Sequence, residues 1–146
     1  MQTTAFQHRF TVGLADTDAA GVLFYGHLFR HAHDAFEAFM ARCGHPVPEI
    51  VAAGEWGLPI AHAKADYLRP MRHGEAITVE LTVRELGEHS FRLGYRFRGP
   101  GGTLRARAET VHVATGRADG ATRPLPEPLR TSLTGAPGTG PTPSER

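Results

Sequence analysis

A single cysteine, Cys43, a single tryptophan, Trp56, and the lack of any long apolar run set the first limits on this chain of 146 residues. One cysteine excludes an internal disulfide and a zinc site built on cysteine pairs. Without a disulfide framework there is no sign of an exported scaffold. No stretch approaches the ~20 apolar residues that a membrane-spanning helix needs. The opening stretch, Met1 to Arg9, lacks the apolar run of a signal peptide, so the cytoplasm is the expected location. The final residues, Ser144-Glu145-Arg146, do not form a peroxisomal address. An excess of one charge is missing too. Sixteen Lys and Arg stand against 15 Asp and Glu, a net charge of +1, and the arginines are scattered. Electrostatics therefore make no case for a nucleic-acid partner. What remains is a globular balance, 40% hydrophobic and 21% charged, in a length that suits one domain.

The first pattern present is a period of two. Phe6, His8, Phe10, Val12 and Leu14 alternate with Gln7, Arg9, Thr11 and Gly13, which predicts a half-buried strand. A short loop of polar and small residues, Ala15 to Gly21, follows. The period then changes: Leu28, Phe29, Ala32, Phe36, Phe39, Met40 and Cys43 recur every three or four residues. That spacing places one apolar face on a helix of about five turns. Gly44 ends it, and Pro46 and Pro48 oppose its continuation. After a connection over 45–57 come four strand-like runs: Ile60 to Arg69, Ile77 to Arg84, Phe91 to Arg98 and Leu104 to Thr115. Gly87-Glu88-His89 joins the second and third as a hairpin. The small residues Ala61, Ala63 and Ala65, and Ala106 and Ala108, suit a helix packed closely on the sheet. From 121 to 146 proline gathers with Gly, Ser and Thr, so this segment is expected to be an extended or disordered tail behind a domain spanning 1–120. The class is α+β, one long helix with an antiparallel sheet of about five strands.

The segment between the first strand and the helix carries the chemistry. Asp16 and Asp18 precede Ala19-Ala20-Gly21, then Val22-Leu23-Phe24-Tyr25, then the helix. Acidic residues at such a point serve as helix caps. Asp18, however, stands several residues ahead of the amphipathic pattern, and Gly21 and Gly26 let the backbone approach another group. A carboxylate beside a helix N-terminus also has a chemical use. Free N–H groups polarise a carbonyl oxygen while the carboxylate attacks the carbon or deprotonates a water that does. Thioesters suit so sparse a site, because the thiolate leaves readily.

The run Phe10-Thr11-Val12-Gly13-Leu14-Ala15-Asp16-Thr17-Asp18-Ala19-Ala20-Gly21-Val22-Leu23-Phe24-Tyr25-Gly26-His27-Leu28 resembles the signature of the 4-hydroxybenzoyl-CoA thioesterase family. The resemblance extends to about Pro128. It implies the hotdog fold, in which a curled sheet wraps one long helix. It implies Asp18 as the catalytic carboxylate, the backbone N–H of Tyr25 as the donor to the thioester carbonyl, and Asp16 as a supporting residue. It also implies a homodimer or homotetramer with the site at the subunit junction, and no cofactor, since coenzyme A is part of the substrate. His33-Asp34-Ala35-Phe36-Glu37, Leu58-Pro59-Ile60-Ala61-His62-Ala63-Lys64-Ala65-Asp66-Tyr67-Leu68-Arg69-Pro70 and Pro124-Leu125-Pro126-Glu127 resemble one branch, the 1,4-dihydroxy-2-naphthoyl-CoA hydrolases. The chain departs from the family at His27, where Asn or a similar residue is usual.

The remaining candidates each have a plain reading beside a functional one. His27 and His31 stand four apart, with Asp34 beyond, a spacing found at metal sites. No His-Glu-x-x-His pattern accompanies them, and no metal is expected. His33 is either helix surface or a contact to an aromatic acyl group, and His62 lines the acyl pocket or makes a cross-strand hydrogen bond. Trp56 and Leu58 could wall that pocket, Trp56 equally being local packing. His89 and Ser90 stand at a hairpin turn where relatives meet the CoA nucleotide. Arg92, Arg96 and Arg98 are either solvated or drawn to CoA phosphates, and Cys43 reads as core. Two functions compete with hydrolysis of an aromatic, 4-hydroxybenzoyl or short-chain acyl-CoA. A dehydratase of 3-hydroxyacyl thioesters would need a histidine paired with an acid at the helix, and its usual pattern is missing. A non-catalytic acyl-CoA-binding protein would bind without turnover.

Overall fold

The computed structural model describes residues 5–136. Its long helix, α1 (Leu28–Arg42), buries Leu28, His31, Ala32, Ala35, Phe36, Phe39 and Met40 on one face. It stops where Gly44 takes φ +90°, a left-handed conformation that other residues resist. Five antiparallel strands supply the other layer: β1 (Phe6–Thr11), β3 (Ile60–Tyr67), β4 (Ala76–Leu86), β5 (Ser90–Arg98) and β6 (Leu104–Val113). Their order across the sheet is β1-β4-β5-β6-β3. Alternation decides which side is core. Ile77, Val79, Leu81 and Val83 of β4 and Phe91, Leu93, Tyr95 and Phe97 of β5 are buried, with polar neighbours between them. Each large side chain buried in this way contributes about 1.5–3 kcal/mol. Phe6 meets Phe39 edge-on at 5.7 Å, which ties β1 to the helix.

The outer face of the sheet is polar, and several of its arginines are already engaged. Arg92 reaches Glu85 at 3.2 Å and Glu109 at 3.1 Å, and Arg98 reaches Glu80 at 2.9 Å. These cross-strand pairs account for arginines that the sequence left open to phosphates.

Several elements depart from the sequence reading. The connection over 45–57 holds α2 (Val47–Ala53), followed by β2 (Trp56–Gly57), which pairs with β7 (Thr115–Gly116). Leu14 leaves the inward face of β1 because the chain turns out after Gly13, and it is 74% exposed. Strand β3 does not lie beneath the helix. Ala61 and Ala63 are exposed, Ala65 is half-buried against the core, and Ala106 and Ala108 on β6 are buried as expected. The domain boundary at 120 also moves. Within the segment expected to be an extended tail, α3 (Glu127–Thr134) is a helix whose Leu129 and Leu133 are completely buried, with Leu125 ahead of it nearly so. Arg130 fastens α3 to the β4–β5 hairpin by donating to the carbonyls of Gly87 and Glu88 at 2.8 and 2.7 Å. The rest of that expected tail, 137–146, lies outside the described residues.

Candidate active site

Between β1 and α1 the chain folds back on itself. Thr17 bridges to Leu23, the Asp18 N–H donates to the Val22 carbonyl at 3.0 Å, and the Gly21 N–H donates to the Asp18 carbonyl at 3.0 Å. Gly21 closes this turn at φ +78°, so it is a turn residue that a side chain would strain. Asp18 sits at the tip, exposed, with Oδ1 accepting the Ala20 N–H at 2.9 Å and the Val22 N–H at 3.5 Å. Its Oδ2 has no hydrogen-bond partner among the described residues. One oxygen fixes the carboxylate and the other is free to meet a substrate.

Asp16 has the opposite surroundings. It is 5% exposed, its Oδ2 accepts the Gly13 N–H at 2.9 Å, and its Oδ1 meets His31 Nε2 at 2.9 Å. Burial pushes its pKa up, but the Gly13 N–H, the His31 ring and the Arg30 guanidinium at 3.6 Å outweigh that, and the net direction is down. The backbone carbonyl of Asp16 accepts the Phe24 N–H at 2.8 Å. Asp16 therefore braces the loop from both sides. It is the acid–histidine pair that a dehydratase would need, yet both partners are shut away from substrate, and Phe10 stacks on the His31 ring at 3.7 Å. His31 is committed to Asp16, so its spacing from His27 does not make a metal site. Among the described residues no cluster of three ligating side chains occurs.

The turn Tyr25–His27 leads straight into α1. The carbonyl of Phe24 accepts the His27 N–H at 2.9 Å, and that of Tyr25 accepts the Leu28 N–H. The N–H groups of Tyr25 and Gly26 have no acceptor among the described residues. They are the free donors that a helix start leaves over. His27 is half-buried against the Phe24 ring, whose edge lies over Gly26.

The other expected site residues gather elsewhere. His33 is exposed on α1, 3.7 Å from Glu37 and beside Phe36. Trp56 and Leu58 are half-buried around β2, His62 is exposed on β3 opposite Val111, and His89 and Ser90 stand half-buried at the hairpin turn. The Asp18 loop rests against residues just before β4, whereas His89 follows the far end of that strand. Eleven residues of β4, at about 3.3 Å each, put His89 and Ser90 roughly 30 Å from the Asp18 loop within one chain.

Two groups near these residues escaped the sequence reading. Tyr67, at the end of β3, donates its hydroxyl to the Tyr25 carbonyl at 2.8 Å. His112 is buried on β6 between the rings of Phe36 and Phe91, at 4.3 and 5.1 Å, and its Nε2 meets Thr110 Oγ1, which in turn meets the Tyr95 hydroxyl. Burial pushes the His112 imidazole down to about 4, with the Leu58 carbonyl pulling the other way. The sequence signal for His112 was its in-phase position with Ala106, Ala108 and Thr110 on β6.

One long helix on a five-stranded antiparallel sheet, with a carboxylate in the loop entering the helix, defines a hotdog-fold protein. The chain belongs to the thioesterase-like superfamily, whose family model matches residues 12–133. It is 31% identical to a 1,4-dihydroxy-2-naphthoyl-CoA hydrolase of Synechocystis sp. over 129 residues, 88% of this chain and 94% of that protein. It is 36% identical to a hydrolase of the same name from Microcystis aeruginosa over 117 residues, 80% and 84% of the two chains. In structure it is similar to a 1,4-dihydroxy-2-naphthoyl-CoA thioesterase from Synechocystis, with a TM-score of 0.85 at 30% identity over 90% of this chain and 96% of that one. It is also similar to a gentisyl-coenzyme A thioesterase, with a TM-score of 0.81 at 26% identity over 88% and 99%.

Proposed function

We propose that this protein hydrolyses an aromatic acyl-CoA, with 1,4-dihydroxy-2-naphthoyl-CoA as its substrate. The observation that carries this reading is the Asp18 carboxylate with one free oxygen, on the same loop that ends in the unpaired N–H groups of Tyr25 and Gly26. Relatives named for this substrate, and covered over most of their length, support the choice of acyl group. The reaction adds water across the thioester. The carbonyl carbon gains an oxygen and the C–S bond breaks. The sulfur leaves as thiolate and takes up the proton that water gave up. Asp18 serves as the base that takes this proton, or as the nucleophile whose acyl adduct water then resolves. In either route negative charge gathers on the carbonyl oxygen, where the Tyr25 N–H stabilises it. The reaction needs no cofactor, since coenzyme A enters with the substrate.

The second group of site residues joins through a partner copy. Strand β3 is an open sheet edge, with Ile60 and Tyr67 at its two ends 44% and 46% exposed and Leu68 just beyond it 44% exposed, apolar surface beside unpaired backbone. Two copies pairing antiparallel along β3 set the Ile60 end of one against the Tyr67 end of the other. That arrangement brings His33, Trp56, Leu58, His62, His89 and Ser90 of one subunit toward Asp18 and Tyr25 of the next. We therefore assign a homodimer as the working unit, and sedimentation at micromolar concentration checks it. We place the enzyme in the cytoplasm, where CoA thioesters are made. Among the described residues no helix is long and apolar enough to cross a membrane.

The test is CoA release over a panel of acyl-CoA thioesters. A maximum in kcat/KM on 1,4-dihydroxy-2-naphthoyl-CoA supports the reading. A maximum on 4-hydroxybenzoyl-CoA or on aliphatic chains removes this substrate, and tight binding without turnover removes the enzyme.

A further inference from the structure

We propose that Tyr67 is a positioning residue for the thioester carbonyl, its hydroxyl holding the Tyr25–Gly26 peptide so that the Gly26 N–H acts as a second donor beside that of Tyr25. The inference rests on the hydrolase reading above and adds two residues to it.

The geometry begins at the sheet edge. Tyr67 pairs with Ala106 at the last position of β3 and leans across to the start of α1. Its hydroxyl donates to the Tyr25 carbonyl at 2.8 Å, and its ring meets the Tyr25 ring edge-on at 6.3 Å. That carbonyl belongs to the same amide as the Gly26 N–H. A hydrogen bond on the oxygen of an amide draws electron density from its nitrogen and strengthens the N–H as a donor. The neighbouring amide, Phe24–Tyr25, is engaged in the same way, since its carbonyl accepts the His27 N–H at 2.9 Å. Both free N–H groups thus belong to peptides whose oxygens are held.

Two further observations agree. Burial and the adjacent Tyr25 raise the pKa of the Tyr67 hydroxyl, so it keeps its proton and remains a donor over the range in which thioesterases work. At Gly26 a Cβ would stand 2.8 Å from Cε2 of Phe24, so any side chain there would push this ring off its seat. Gly26 itself is exposed. The turn is short, and nothing else among its hydrogen bonds fixes the Tyr25 carbonyl apart from the Leu28 N–H.

Tyr67→Phe removes one hydroxyl from a half-exposed ring and leaves the strand pairing intact. With 1,4-dihydroxy-2-naphthoyl-CoA, kcat should fall about three- to tenfold, short of the ~10²–10³ lost when an oxyanion donor is deleted outright, and KM should stay within about twofold. The second readout is spectroscopic. The same thioester, labelled with ¹³C at its carbonyl and bound to Asp18→Asn protein, should show a C=O stretch lowered from its value in water. In the Asp18→Asn, Tyr67→Phe double variant that stretch should move part of the way back. An unchanged kcat overturns the proposal, and so does a fallen kcat with an unmoved stretch, which would make Tyr67 a structural prop. A wild-type protein with no turnover on any acyl-CoA sinks the hydrolase reading itself, and this inference with it.

Discussion

Asp16 and His31 meet at 2.9 Å in the interior, at the point where the loop from β1 joins the first turns of α1. Neither is open to substrate. The pair holds the two ends of the segment that carries Asp18, because Asp16 also accepts the Gly13 N–H through its side chain and the Phe24 N–H through its backbone. Replacing Asp16 with Asn weakens contacts to groups that stay buried, and should cost about 1–3 kcal/mol at neutral pH. The sign of the pH effect follows from the lowered pKa of Asp16. A depressed carboxylate stabilises the fold above its ordinary value of 3.8, and that contribution disappears as pH falls through the folded value. Melting curves should therefore show wild type and Asp16→Asn converging below about pH 4. A gap that stays constant would mean that the charge of Asp16 is not what the loop depends on.

His112 produces a second acid-sensitive component by the opposite route. Its imidazole is neutral in the folded protein down to about pH 4, whereas the unfolded chain takes up a proton near 6.5. Between those values the unfolded state binds more protons, so stability falls as pH drops, by roughly 3 kcal/mol across the window. His112→Phe keeps a ring between Phe36 and Phe91 and should flatten that slope, at some cost near neutrality from the Thr110 hydroxyl left without its histidine partner. Denaturant midpoints from pH 7 to 4 check this, and a His112 ring that titrates near 6.5 would contradict its burial.

The C-terminal helix is part of the core. Leu129 and Leu133 are completely buried, and Ser132 joins α3 to the end of α1 through His45 at 3.1 Å and the Cys43 carbonyl at 3.2 Å. Leu129→Ala or Leu133→Ala should each cost about 2–5 kcal/mol by urea denaturation. A cost under about 0.5 kcal/mol, normal for a surface change, would show that α3 does not pack as described.

The sheet and α1 were legible because their signals are local. Alternation in Ile77–Val83 and Phe91–Phe97, and the spacing from Leu28 to Met40, are fixed by the pleat and the helical turn. The expected helix ran to Cys43 and the structure ends it at Arg42. Two helices were hidden by proline, read as a helix stop at Pro46 and Pro48 and as the mark of an extended tail after 121. Pro48 stands in the first turn of α2 and Pro128 in the first turn of α3, with Pro46 and Pro126 capping them. In the first turn the missing N–H costs nothing, so the same residue that stops a helix also starts one. The candidate site was legible in part. The Asp16–Asp18 spacing and the small residues after it marked the loop. The hydrogen bonds of Asp16 with His31 and of Tyr67 with Tyr25 cross 15 and 42 residues, and no local pattern encodes them. The roughly 30 Å between the Asp18 loop and the hairpin residues His89 and Ser90 was equally invisible, since it depends on the length and order of the strands.

The most direct measurement is CoA release from 1,4-dihydroxy-2-naphthoyl-CoA by wild type and by Asp18→Asn, with binding followed alongside. The amide of Asn keeps an oxygen for the Ala20 and Val22 N–H groups, so the loop survives while the carboxylate is lost. Turnover should fall at least ~10²-fold with the thioester still bound, the scale set by loss of a general base or nucleophile. Hydrolysis by Asp18→Asn at the wild-type rate would contradict the assignment of Asp18 as the catalytic carboxylate.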